Sequence, residues 1–301
     1  MTPLSRNVER LAHLDLPGGG QVIVKNGYAY VGHMKPPFGT SIIDVSNPKN
    51  PQVVAEIKLD DEYSHTHKVR VIGDLMITNV EQNNRHFLRR AEKIPGALEK
   101  LEKSLGRSPR DSELASELTV TESDIQILKS ALKRGYHDGG FKLYDISNRT
   151  QPKLIHYEKT FGCGTHRFDA DENYAYISTE MPGFSGNILV NYDIKNPSHP
   201  IEVSRWWLPG QHLAGGEQPT WEGHNNRLHH AMRVGDELWA AVWHAGFRVL
   251  DVSNIREPIT AASYDYHPPF PEPTHTIMPL EHKINGRRIA VIRSSSLRSP
   301  G

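Results

Sequence analysis

Gly246-Phe-Arg-Val-Leu-Asp251-Val-Ser-Asn254 has close copies in Gly39-Thr-Ser-Ile-Ile-Asp44-Val-Ser-Asn47 and Gly140-Phe-Lys-Leu-Tyr-Asp145-Ile-Ser-Asn148, and a looser one in Gly186-Asn-Ile-Leu-Val-Asn-Tyr-Asp193-Ile-Lys-Asn196. Each reads as a strand running from Gly to Asp; the first three end in an Asp-x-Ser-Asn turn and the fourth in Asp-x-Lys-Asn, where short polar side chains can bond back to the main chain. Before each copy stands a tight turn between apolar runs. These are Val22-Ile-Val-Lys-Asn-Gly-Tyr-Ala-Tyr-Val31, Val69-Arg-Val-Ile-Gly-Asp-Leu-Met-Ile-Thr78, Phe168-Asp-Ala-Asp-Glu-Asn-Tyr-Ala-Tyr-Ile177 and Met232-Arg-Val-Gly-Asp-Glu-Leu-Trp-Ala240. Asn-Gly and Gly-Asp in that setting predict hairpins. After each copy a proline (Pro51, Pro152, Pro200, Pro258) opens an outer strand.

Four short strands recurring in units of roughly 45 to 60 residues predict an all-β fold, a β-propeller of four-stranded blades. Five blades are recognisable, beginning near residues 20, 65, 164, 229 and 275, and the last is incomplete. Val8–Leu16 reads as an outer strand able to close the ring. Residues 1–84 and 139–301 are assigned to the propeller. Residues 85–138 interrupt blade 2 with helical periodicity: Leu98, Leu101 and Leu105, then Leu114 and Leu118, then Ile125, Leu128 and Leu132. Asp111 and Thr121 are the expected N-caps, and Gly106 the expected stop. This helical insert leaves from the end of a second strand, which predicts a lid.

Histidine is the outlier of the composition, with 17 residues in 301. His67, His166 and His229 each stand six positions before the turn of their hairpin, and His275 occupies the same place in the fifth unit. In a propeller this is the entrance to the innermost strand, along the central channel. His65 and His230 neighbour those positions. His33, Glu81, Glu180 and His244 stand where the second strand leaves, on the same face. Imidazoles converging from several blades predict a metal site, because neutral imidazole is the commonest ligand for transition metals. The expected ligands are His67, His166, His229 and His275, with His33, His65, His230 and His244 as additional candidates. Glu81 and Glu180 are the expected catalytic carboxylates, orienting ligand rings or acting as bases. Histidine ligation without a thiolate cluster favours Fe, Cu or Mn, with Zn also compatible. Blade 1 offers Gly20-Gln21 where histidine is expected, which would leave an open side for a small-molecule substrate.

The Gly-x4-Asp-[Val/Ile]-Ser-Asn units resemble the LVIVD-repeat family of β-propeller proteins, which implies a propeller and no single activity. The histidine positions are similar to those of selenium-binding proteins (methanethiol oxidases), propellers with a histidine-bound metal. The redox cysteine motif of those proteins is not found here. Within the insert, Leu105-Gly-Arg-Ser-Pro-Arg-Asp-Ser-Glu-Leu-Ala-Ser-Glu-Leu118 is similar to a helical segment of bacterial sigma factors.

Charge excludes several other classes. Lys plus Arg equals Asp plus Glu at 35 each, which argues against a nucleic-acid or membrane partner. The insert carries 11 Lys/Arg against 9 Asp/Glu, too little excess for a phosphate-binding surface. No run of about 18 apolar residues and no signal peptide are present, and the single cysteine, Cys163, excludes an intrachain disulfide, so a cytoplasmic protein is expected. The expected function is a metal-dependent oxidoreductase acting on a small organic substrate at the histidine-lined mouth of the propeller. The alternative is a non-catalytic LVIVD-repeat propeller used as a protein-binding platform.

Overall fold

The computed structural model describes residues 8–280 and 282–294. They fall into two compact units, Gln82–His137 and the remainder. In the larger unit β1 (Gly19–Lys25), β2 (Tyr28–His33), β3 (Phe38–Asp44) and β4 (Gln52–Lys58) form an antiparallel meander. The next set is β5 (Ser64–His65), β6 (Val69–Ile72), β7 (Leu75–Gln82), β8 (Gly140–Asp145) and β9 (Lys153–Lys159). It is joined to β10 (Phe161–Ala170), β11 (Tyr174–Glu180), β12 (Asn187–Asp193) and β13 (Ile201–Trp206). A third sheet holds β14 (His230–Val234), β15 (Glu237–Ala241), β16 (Phe247–Asp251) and β17 (Ile259–Tyr264), and β18 (Thr274–Pro279) pairs with β19 (Ala290–Ser294).

The repeated turns form as their chemistry dictates. Oδ1 of Asp44, Asp145, Asp193 and Asp251 accepts the N–H two residues on, at 2.9, 2.8, 3.0 and 2.9 Å. Asn47, Asn148, Asn196 and Asn254 do the same one turn later. Each strand end is then tied to the preceding hairpin by a main-chain bond: Val45 to Gly27, Ile146 to Asp74, Ile194 to Asn173 and Val252 to Asp236. The glycine that opens each of these strands also has a reason. A Cβ on Gly246 would lie 2.1 Å from the Tyr264 carbonyl oxygen on the adjacent outer strand, so only glycine fits.

The core lies between successive sheets. Tyr30 and Ile42 meet Val69, Met76 and Tyr144; Ile77, Phe141 and Leu143 meet Phe168, Ile177 and Val190. Tyr176 and Leu189 meet Leu238 and Leu250, and Trp239 and Val249 meet Ile277. Packing every sheet face onto the next is the propeller arrangement, and it sets the inner strands side by side. Residues 8–16 form no strand, contrary to expectation. Leu14 and Leu16 instead pack on Ala29, Val31 and Ile43.

The smaller unit contains α1 (Arg85–Leu88), α2 (Ile94–Leu105), α3 (Asp111–Leu118) and α4 (Glu122–Arg134) around Ile94, Leu114, Leu118, Ile125 and Leu128. Leu105 and Leu132 stay exposed. Gly106 ends α2 with φ 67°, and Thr121 caps α4, its N–H donating to Asp124. Asp111 is not the N-cap of α3. Arg110 holds that place, its N–H donating to Glu113, while Asp111 accepts from Lys129 and Gln126. No helix among the described residues is long and apolar enough to cross a membrane.

Candidate metal centre

The inner strands begin with an extra residue, and that residue is histidine. Along β10 and β11, Thr165 faces Thr179 and Arg167 faces Ser178, which leaves His166 as a bulge. Along β18 and β19, Thr274 faces Ser294 and Thr276 faces Arg293, which leaves His275 in the same role. His229 and His230 both oppose Ala241, one through its N–H and one through strand pairing. A bulge re-aims one side chain out of the alternating pattern, here toward the channel. Gly164 makes the approach possible. With φ 86°, it lies so close to β7 that a Cβ would sit 2.4 Å from the Val80 carbonyl oxygen. Gly164 pairs with Glu81 across the two strands, and His166 thereby reaches the Glu81 carboxylate.

Glu81, 1% exposed, is the hub. Its Oε2 lies 3.0 Å from His65 Nε2 and 3.8 Å from His67 Nε2, and its Oε1 lies 2.9 Å from His166 Nδ1. One ligand atom each from His65, His67 and Glu81 can be chosen so that all three lie within 4.8 Å of one another, a group able to hold a metal ion. Asn79 orients His67. Its oxygen accepts from the Lys68 N–H and its nitrogen donates to the Thr165 carbonyl, so the remaining N–H donates to His67 Nδ1 at 3.2 Å.

His166 and His229 make the most telling contact. His166 commits Nδ1–H to Glu81, and His229 commits Nδ1–H to the backbone carbonyl of His275. Each neutral ring therefore presents a lone pair on Nε2, and the two Nε2 atoms are 2.9 Å apart. Two bare lone pairs at that distance repel. A positive centre between them is required, either a proton carried by His166 or a cation. His229 resists the proton: burial, then the charges of His166 and Arg167, hold it well below the usual histidine range. Two nitrogens each about 2.1 Å from one ion and at right angles lie about 3.0 Å apart, whereas a tetrahedral angle would give about 3.4 Å. The observed 2.9 Å is also the length of an N–H···N hydrogen bond, so the spacing suits a shared proton as well as a shared ion.

His275 approaches the cluster, its ring 4.2 Å from that of His229, but both its nitrogens are engaged. Nε2 accepts from Arg167 Nη2 at 2.8 Å, and Nδ1 donates to Thr276 at 2.9 Å. Burial and the neighbouring Arg167 charge push it down to about 3. Burial first, then the positive charges around them, also lowers His230 strongly; His67 is lowered by burial against the opposing pull of Glu81.

The other predicted residues sit apart from this hub. His230 Nε2 contacts the Phe168 carbonyl at 3.3 Å, and His33 pairs with Ser41 at 2.8 Å. Glu180 accepts the Cys163 N–H at 2.9 Å. His244 lies against His267 and lines a cleft of about 530 Å³ with Trp221, Asn225 and Asp265. Gly20 replaces histidine in the first sheet, and a Cβ there would lie 2.8 Å from the His67 carbonyl oxygen. Sequence reasoning passed over Asn79, Lys68 and Arg167. For the last two a signal existed, since a basic residue directly follows the histidine in His67-Lys68 and His166-Arg167.

Meanders packed face to face around an imidazole–carboxylate cluster define a propeller-like all-β protein with a candidate metal centre. The chain carries LVIVD repeats, the repeat model matching residues 19–58, 166–206 and 234–266. No curated protein matches the chain. Among solved structures it is similar to the N-terminal domain of Nup159, at 10% identity over 98% of this chain and 61% of that one, with a TM-score of 0.48. It is also similar to the computationally designed Ika8 protein, at 6% identity over 82% of this chain and 50% of that one, with a TM-score of 0.44. A hypothetical selenium-binding protein from Sulfolobus tokodaii is similar at 12% identity over 82% of this chain and 60% of that one, with a TM-score of 0.34. The chain thus spans about half to three fifths of the length of these structures.

Proposed function

We propose that this protein is a metal-dependent oxidoreductase acting on a small organic molecule at the channel mouth. The observation that carries the reading is the pair of Nε2 lone pairs, His166 and His229, facing each other at 2.9 Å with both Nδ1 atoms already committed as donors. His166 and His229 are the leading ligands, and His65, His67 and Glu81 supply a second group of donors beside them. Imidazole and carboxylate donors without a thiolate cluster would suit Fe, Cu or Mn, with Zn also compatible. Such an ion would supply the electron-transfer chemistry. Glu81 holds the proton on His166 Nδ1 and so keeps the opposite nitrogen available, the usual role of a carboxylate behind a ligating histidine. The finer architecture belongs to the same proposal: a propeller of five blades and a cytoplasmic location suited to a lone thiol.

Metal analysis of protein purified without an affinity tag tests the proposal. About one transition-metal ion per chain is expected, lost in His166→Ala and in His229→Ala. A content below about 0.2 per chain, unchanged by either substitution, leaves the proton as the positive centre and sinks the enzyme reading. The second reading, a non-catalytic protein-binding platform with structural histidines, draws on His33 and His275, whose ring nitrogens bond to Ser41, Arg167 and Thr276.

A further inference from the structure

Three segments distant in sequence meet around the cleft of about 530 Å³ that His244 lines. Trp221, Asn225 and Asn226 come from the long connector before β14, His244 follows β15, and Asp265 and His267 follow β17. The walls are tied to one another. The Asn225 carbonyl accepts the His244 N–H at 3.1 Å, which joins the connector to the end of β15. Arg227 donates to the His224 carbonyl at 2.6 Å and lies 4.6 Å over the Trp243 ring, fixing the same turn. His267 is held at both nitrogens, Nδ1 by Asp265 at 2.9 Å and Nε2 by the Glu272 carbonyl at 3.0 Å, and its ring meets that of His244 edge-on at 5.5 Å. Trp221 lies against Gly210, where a Cβ would come 2.9 Å from Cη2 of the indole. A site whose walls are already ordered loses little freedom when it binds.

The walls offer hydrogen bonds more than charge. The side chains of Asn225, Asn226 and His244 hydrogen-bond to none of the described residues. An amide carries donors and acceptors together, and a neutral imidazole carries one of each. His244 is of that kind: burial first, then the charges of His267 and Arg227, hold it below the usual histidine range against the pull of Glu272. Apolar surface stands beside these groups in Trp221, Pro268 and Pro271. Neither lysine nor arginine lines the cleft, and its one acid, Asp265, already accepts from the His267 main chain and ring.

We infer that this cleft binds a neutral, hydroxyl-rich molecule, one or two sugar rings in size. A hydroxyl donates and accepts at once, as two amides and an imidazole require. The C–H face of a sugar ring suits an indole and two prolines, and the volume lies within the range of small-molecule sites. A wholly apolar ligand would strip water from three polar side chains without replacing its hydrogen bonds. The Trp243 ring contacts both histidines, 4.9 Å from His229 and 6.3 Å from His244, yet the inference holds whether or not the histidine cluster binds a metal.

Saturation-transfer NMR on the full chain tests it, with glucose, galactose, N-acetylglucosamine, maltose and cellobiose as probes and choline, benzoate and phosphate as charged comparisons. At least one sugar is expected to bind with a Kd of about 5 mM or tighter. Trp221→Ala and Asn226→Ala should each weaken that binding about 5-fold or more, whereas Trp221→Phe should keep most of it. Asn225→Ala, a change at an exposed position, should weaken it with Tm unchanged, so the test stands even where Trp221→Ala fails to fold. The inference is overturned if no sugar binds at about 20 mM. It is also overturned if Asn225→Ala and Asn226→Ala both bind as the wild type does, which would put the sugar elsewhere. Tighter binding of choline, benzoate or phosphate than of every sugar, weakened by the same substitutions, would overturn it too and give the cleft to an ion.

Discussion

The first sheet, β1 to β4, and the strands β10 to β13 are two copies of one design, and only one of them sets a histidine in the bulge of its inner strand. Both match the LVIVD repeat, at residues 19–58 and 166–206. Both end their third strand in the same aspartate turn, Asp44 and Asp193. Both have a bulge at the entrance of the inner strand, between Gly19 and Val22 in one and between Thr165 and Arg167 in the other. The bulge of the first sheet holds Gly20 and Gln21, against which the main chain of His67 packs; Gln21 N–H donates to the His67 carbonyl at 2.9 Å. The bulge of the other sheet holds His166, which reaches Glu81 and His229. The outer turns therefore build the blade, and the bulge position is free to be either a seat for a neighbour or a functional group.

Five substitutions and one change of condition probe this contrast. Gly164→Ala has the largest expected effect. A Cβ 2.4 Å from the Val80 oxygen at φ 86° forces β10 away from β7, costing roughly 3 kcal/mol or more and dispersing His166 from Glu81; urea unfolding checks it. A loss below about 1 kcal/mol would show that the close approach is not needed.

Acidification comes next. His67, His229 and His230 are held neutral by burial, with folded-state values well below 6.5. The unfolded chain takes up more protons as pH falls through about 6.5, so stability present at pH 7 is lost below that value. Between pH 7 and 5.5 the chelator-treated protein should lose roughly 2–4 kcal/mol, and a flat profile would contradict the neutral cluster. Glu81→Gln should weaken metal retention about 10- to 100-fold, measured by competition with a chelator, because His166 loses the carboxylate that sets its tautomer.

Two smaller effects test the sameness of the copies. Asp44→Ala and Asp193→Ala should each cost about 1 kcal/mol, and unequal values would mean that the turns are not equivalent. Gln21→His should cost about 0.5 kcal/mol, since the main-chain bond to His67 stays while the long 3.4 Å bond from the Val69 N–H to Gln21 Oε1 is lost. A large loss there would mean that the first sheet needs its glutamine.

Much of the site was legible because a residue recurring at one register position is a spatial statement once strands repeat. His166 and His229 come together as that register implies, and Glu81 meets His65, His67 and His166. His275 shows where the logic stops. It reaches the cluster, but its nitrogens are taken by Arg167 and Thr276, and side-chain pairing between sheets is not written in repeat spacing. Glu180 is a register mate of Glu81 and yet serves the Cys163 N–H, because β10 bends back over it at Gly162. His244 occupies the position of a second-strand exit and lines a different cleft, beside His267.

By itself the sequence determined the blade: alternating apolar runs, positive-φ turn residues and Asp-x-Ser-Asn stops act locally, through bonds spanning two or three residues. It also marked the inner-strand histidines as a set. Only the tertiary structure decided which nitrogen faces which, since a tautomer depends on an acceptor brought from a strand distant in sequence. The Glu81 carboxylate and the His275 carbonyl are those acceptors, and they turn two histidines 63 residues apart into a pair of opposed lone pairs.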